Sequence, residues 1–140
     1  AVLHRVLRKE PMTTIPESHR DLAAAPVVAS LATLGSGGTP QVTAVWFVTE
    51  GNTVKLSLVT ARQKYKNMVT WPQATLFLID PANPYRTLEI RGTVEVGEDQ
   101  DLALFEKIFR HYGADPDAFA APRDGRVAVT LRPTRIVAQG

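Results

Sequence analysis

The chain has no cysteine, and this removes disulfides, thiol nucleophiles and cysteine-ligated zinc at once. Histidine is scarce: His4, His19 and His111 each stand alone in the sequence. A histidine-built metal centre is therefore not expected, and an exposed or half-buried ring is the default for all three. No apolar run approaches the roughly 18 residues that a membrane-crossing helix requires. The first eleven residues are basic but lack the apolar stretch and small-residue cleavage site of a signal peptide, so a cytoplasmic location is expected. Repeats and low-complexity segments are absent too. No nucleophile elbow or other hydrolase signature occurs. The glycines of Gly35-Ser36-Gly37-Gly38 precede a strand rather than a helix, so they mark a turn and not a nucleotide cradle.

With 140 residues, the chain has the length of one domain with one core. Its formal charge of +2 is carried by residues 1–11, where Arg5, Arg8 and Lys9 outnumber Glu10 by two; the remainder holds 13 cations and 13 anions. A broad basic face for nucleic acid is thereby excluded. Met12-Thr13-Thr14 resembles a natural start, so residues 1–11 are expected to be a flexible extension and residues 12–140 the folded domain.

Within that neutral domain the charge is unevenly placed. Residues 51–79 carry Lys55, Arg62, Lys64 and Lys66 and no carboxylate. Three of these cations fall in Arg62-Gln63-Lys64-Tyr65-Lys66, where an alternating strand over 54–59 gives way to a helical segment that stops before Trp71-Pro72. A helix start offers free N–H groups and the positive end of the helix dipole. Arg and Lys in its first turn add fixed charge, and together they make an anion site suited to phosphate.

The rest of the pattern is mostly β. A short helix is expected over 17–24, opened by Pro16 and stopped by Pro26. Strands are expected over 27–34, 40–50 and 54–59, joined by turns at 35–39 and Gly51-Asn52 as an antiparallel meander. The continuously apolar run 75–79 predicts a strand buried on both faces, and Pro81-Ala82-Asn83-Pro84 a rigid loop. Residues 87–96 alternate, with Gly92 marking a bulge or a close backbone approach. Apolar residues at helical spacing predict an amphipathic helix over 99–112. A short helix near Pro116, a strand around Val127, Val129 and Leu131, and a further short strand over 135–138 complete the list. Six or so strands with a few small helices predict a closed or nearly closed antiparallel barrel, whose filled interior would leave a large ligand to an outer groove covered by a second subunit.

Taken together, residues 40–47, 56–67 and 80–92 resemble the split β-barrel flavin-binding superfamily typified by pyridoxamine 5′-phosphate oxidase, and within it the branch that uses the deazaflavin coenzyme F420. The likeness runs from about Ile15 to Ile136. It implies a homodimer with two cofactor sites at the subunit interface. It implies that Gln41, Thr43, Ala44, Val45 and Trp46 lie along the cofactor ring, and that Ser57 and Leu58 flank the ring and its ribityl chain. Arg62, Gln63, Lys64 and Asn67 match the phosphate-binding element. Tyr85, Arg86 and Thr87 match residues that reach a site from the partner, Tyr85 being a ring contact or proton donor and Arg86 an anion contact or a pair for Glu89. Lys55 or Lys66 would meet the acidic oligoglutamate tail. The chain carries Arg132 and Arg135 but no histidine beyond His111, unlike the C-terminal Arg and His that grip pyridoxamine phosphate in the oxidases themselves. The resemblance thus implies an F420-dependent oxidoreductase moving hydride to or from a small molecule, with an FMN-binding oxidoreductase or a non-catalytic cofactor carrier as alternatives.

Overall fold

The computed structural model describes residues 12–118 and 121–140; the expected extension over 1–11 lies outside the described residues. A 3₁₀ turn at Glu17–His19 leads into α1 (Arg20–Ala24). Then come β1 (Ala29–Leu34), β2 (Pro40–Val45), β3 (Val48–Glu50), β4 (Thr53–Val59), α2 (Gln63–Thr70), β5 (Gln73–Asp80), β6 (Asn83–Glu98), α3 (Ala103–His111) and β7 (Arg126–Gln139). All neighbouring strands are antiparallel, in the order β2-β1-β5-β6-β7-β4-β3.

That order dictates closure. If the seven-stranded sheet were flat, its end strands would stand roughly 29 Å apart, at about 4.8 Å per step. Yet β2 and β3 are consecutive in the chain, and the path from Val45 to Val48 spans at most about 11 Å. The sheet must curl until its two ends meet, and the result is a split antiparallel β-barrel, mainly β with a few short helices. Alternating residues fill the interior. Leu31, Val54, Leu56, Leu76, Leu78, Leu88, Ile90, Val129 and Leu131 are essentially inaccessible, each contributing about 1.5–3 kcal/mol of burial. Phe47 and Met68 join the same core, and Phe105 and Ile108 are the buried face of α3, which packs on β4.

Several expectations are corrected. The strand predicted over 40–50 is two strands broken at Trp46-Phe47, where the backbone N–H of Phe47 donates to Tyr112 Oη (3.1 Å) rather than to a sheet neighbour. The meander is accordingly two separate hairpins, β1–β2 and β3–β4; β4 takes β7 as its other partner. β5 is not buried on both faces: Ala74, Leu76 and Leu78 point inward, Thr75 and Phe77 on the opposite face are only half-buried, and Ile79 is 48% exposed. The predicted loop at 81–84 is only a Pro81-Ala82 turn. Asp80 pairs with Asn83 across it and its carboxylate accepts from the N–H of Ala82 (2.8 Å). No helix starts at Pro116 among the described residues. Strands expected around 127–131 and over 135–138 are one strand, β7. It runs through Pro133 because the register slips opposite, between Arg91 and Gly92. Gly92 is the close approach anticipated: a Cβ there would lie 2.0 Å from the carbonyl oxygen of Arg132. The helix over 99–112 is shorter, with Asp99 accepting from the N–H groups of Leu104 (2.8 Å) and Phe105 (2.9 Å) at the start of α3. His19 is buried, its ring nitrogens bonded to Ser18 Oγ (2.8 Å) and the Gln139 carbonyl (2.9 Å).

Candidate functional site

β4 ends at Val59, the chain turns through Thr60-Ala61, and Arg62 enters α2 with extended backbone and no side-chain cap. The uncapped first turn leaves its N–H groups without side-chain acceptors beside two cationic side chains. Lys64 reaches across to β2, where its Nζ donates to Thr43 Oγ1 (3.0 Å). Burial pulls the Lys64 ammonium below the usual lysine range, and the nearby Arg62 charge adds to the effect.

A third cation arrives from the far end of the chain. Arg126 opens β7 opposite Val59. Its Nε donates to the Pro122 carbonyl (2.7 Å) and its Nη1 to the Ser57 carbonyl (3.2 Å) and Ser57 Oγ (3.4 Å). The guanidinium lies 4.7 Å from the Phe105 ring centroid. Burial lowers its pKa, Arg62 lowers it further, and Asp99 partly opposes them.

These groups border a cleft of about 390 Å³ at the seam of the barrel, between the ends of β2 and β4, the start of α2, the face of α3 and the start of β7. Thr43, Ala44, Val45, Trp46, Ser57, Leu58, Arg62 and Lys64, all expected site residues, line it. So do Val59, Ile108, Phe109 and Arg126, which were not foreseen. No carboxylate lines the cleft among the described residues. One end is cationic and the other is walled by apolar and aromatic side chains, with Trp46 stacked flat on Tyr112 (4.6 Å, 5°) and edge-on to Phe109 (5.3 Å). Tyr112 Oη donates to the Val27 carbonyl (2.7 Å), and burial raises the pKa of its phenol, so the ring anchors this wall in neutral form. β2 terminates the strand order and thus has a sheet neighbour on one side only, leaving backbone groups along its other edge.

The remaining expected residues lie elsewhere. Gln41, Gln63 and Asn67 form a hydrogen-bonded cluster behind the cleft, with Asn67 only 4% exposed. Tyr85, Arg86 and Thr87 sit at the start of β6 and do not line the cleft. Tyr85 is 85% exposed. Arg86 pairs with Asp21 and Asp80, whereas Glu89 pairs with Arg91. Lys55 donates to Thr130 Oγ1 (2.7 Å) on β7, away from the cleft, and Lys66 is exposed. Arg126 was illegible in the sequence because Asp124 stands two positions before it; its only signal was its place at the head of the last alternating strand.

Residues 15–140 match the pyridoxamine 5′-phosphate oxidase family. A solved F420 reductase is 37% identical, with 88% of this chain and 98% of that one covered and a TM-score of 0.80. A conserved hypothetical protein from Mycobacterium tuberculosis is 21% identical over 94% of this chain and 88% of its own (TM-score 0.74). A heme storage protein from Vibrio cholerae is 14% identical over 91% and 96% (TM-score 0.71). The last two similarities speak to the fold alone. A search of curated proteins returns no significant match.

Proposed function

The chain belongs to the pyridoxamine 5′-phosphate oxidase family, and from that premise we propose that it is an F420-dependent oxidoreductase exchanging hydride with a small molecule, and acts as a cytoplasmic homodimer. The observation that carries this reading is the meeting of Arg62, Lys64 and Arg126 at one end of a cleft without a lining carboxylate. Three cations held close repel one another, and Arg62 lowers the pKa of both its companions. Such an arrangement is stabilised by a bound anion, and a phosphodiester supplies one. The 37% identity to an F420 reductase favours deazaflavin over FMN, whose ring-ribityl-phosphate plan suits the same donors.

The cleft's residues fit such a coenzyme. When bound, a deazaflavin supplies the hydride chemistry itself through its ring carbon. Arg62, Lys64 and Arg126 would hold the phosphate. The free edge of β2 at Thr43–Val45 would meet polar atoms of the ring, while Trp46, Leu58 and Phe109 exclude water from one side. Neither His nor Asp nor Glu lines the cleft among the described residues, and what the lining side chains bring is position and positive charge.

Side-by-side fluorescence titration of apoprotein with F420 and FMN tests the reading. Tighter binding of F420 is expected, and binding of neither overturns it. Reduced F420 on the protein should then be reoxidised faster on adding a conjugated or carbonyl-bearing acceptor; indifference to a broad panel would mark a carrier.

A further inference from the structure

Asn67 sits in the middle of α2, on the face turned away from the cleft's ligand space, and is almost wholly buried. Both polar atoms of its carboxamide are engaged. Nδ2 donates to Thr33 Oγ1 (3.0 Å) and to Gln41 Oε1 (3.1 Å), and Oδ1 accepts from Gln63 Nε2 (2.8 Å). Thr33 and Gln41 are directly opposed on β1 and β2, and Thr33 is also paired with Ala74 on β5. The two N–H groups of one side chain therefore grip a single rung of the sheet from the helix. One turn before Asn67, Gln63 begins α2; two residues beyond Gln41 on the same strand, Thr43 receives the Lys64 ammonium. The strand wall and the helix wall of the cleft's cationic end are thus tied together behind the cleft.

We infer that Asn67 is a positioning residue for the anion end of the cleft, holding Arg62 and Lys64 in place through Gln63, Gln41 and Thr33 without touching the ligand itself; this rests on the reading that the cleft takes a phosphate-bearing coenzyme. The chemistry of the tie matters. α2 enters the cleft with no side-chain cap, and Arg62 and Lys64 at its start repel each other. A carboxylate could restrain it, but would also quench the charge that the anion needs. A neutral amide network restrains the helix and leaves the positive potential intact. The groups facing Lys64 agree with this: Arg62 on its own helix, Arg126 on β7 and the neutral Thr43 on β2, with Asp99 occupied at the start of α3.

The decisive experiment separates phosphate from ring. Asn67→Leu and Thr33→Val each remove part of the tie with the same number and branching of side-chain heavy atoms, while Thr33→Ser keeps the hydroxyl. Affinity is measured for FMN against riboflavin, and for F420 against its phosphate-free deazaflavin chromophore. The expected result is about a tenfold loss for the phosphate-bearing member of each pair in Asn67→Leu and Thr33→Val, with little change for the phosphate-free member, and wild-type behaviour in Thr33→Ser. The NMR titration of the Lys64 side chain, measured without any coenzyme, should move back toward the ordinary lysine range in Asn67→Leu. Equal losses for both members of a pair, or an unmoved Lys64 titration, would overturn the proposal. If wild-type protein binds neither coenzyme, the functional reading falls, and the Lys64 titration still decides the role of Asn67.

Discussion

Lys64 from the middle of the chain and Arg126 from near its end come to one corner, and each is predicted to hold the same anion. Lys64→Ala should weaken coenzyme binding at least tenfold, about 1.4 kcal/mol. Arg126→Gln should do so to a similar extent, whereas Lys55→Ala, whose ammonium is engaged with Thr130 away from the cleft, should leave affinity unchanged in the same titration. The pH dependence has a definite sign. Lys64 has a lowered pKa in the free protein, and a bound anion favours its charged form. Affinity should therefore be greatest at lower pH and fall as pH rises through the free-protein value, beginning below the ordinary lysine pKa of about 10.4. Stability of the unliganded protein runs the other way: the unfolded chain binds the proton more tightly, so stability rises with pH across that interval. Lys64 was legible because its surroundings lack acids for many residues on either side. Arg126 was not, since Asp115, Asp117 and Asp124 precede it and only the fold brings it to Arg62. Asn67 was placed among the ligand-binding residues for want of any sequence signal that its side chain turns inward. Arg86 could not be assigned to Asp21 and Asp80 before the hairpin and α1 were brought together.

Strands and helices were read more faithfully than single contacts, because alternation is a property of consecutive residues. β4 and β6 follow it closely, with Val54, Leu56, Leu58, Leu88, Ile90 and Val94 all inside. The breaks were harder. Nothing in Ala44-Val45-Trp46-Phe47-Val48 signals a change of sheet neighbour; the split is enforced by Tyr112, whose hydroxyl accepts from the Phe47 N–H and donates to the Val27 carbonyl. Tyr112→Phe keeps the stack on Trp46 but leaves both backbone groups unpaired, and should cost about 1–3 kcal/mol in urea unfolding. It should also loosen Trp46, read as a change in its fluorescence. The two prolines and Asn83 suggested a loop, yet extended backbone is what a residue before proline prefers, so β6 can begin there. Gly92 was singled out correctly, and its meaning is steric: Gly92→Ala would drive a methyl group into the backbone of β7. A loss of at least about 1–3 kcal/mol is expected, seen as a lower urea midpoint.

For the molecule as a whole, six or so strands with a few small helices pointed to a barrel, but the strand order could not be read from local pattern. It depends on which distant segments meet, and the neutral charge balance gives no hint. The proposed covering of the cleft by a second subunit is likewise a property of the whole, and the exposed side chains of Val42 (62%) and Tyr85 (85%) are available for it. Size-exclusion chromatography with light scattering at micromolar concentration should give a dimer, and a charged substitution at Val42 should shift it toward monomer; a wild-type monomer would leave each cleft without its cover. The seam carries one more consequence. β7 is wedged between β6 and β4, joining residues as far apart as Ser57 and Arg126, 69 positions away. Until that slat slides in, β4 and β6 each present a bare flank of hydrogen-bonding groups. In a nascent chain β4 and β6 are both complete before Arg126 is added, so both flanks stay bare until β7 emerges, and this interval is the one in which the protein is most prone to stick to its own kind.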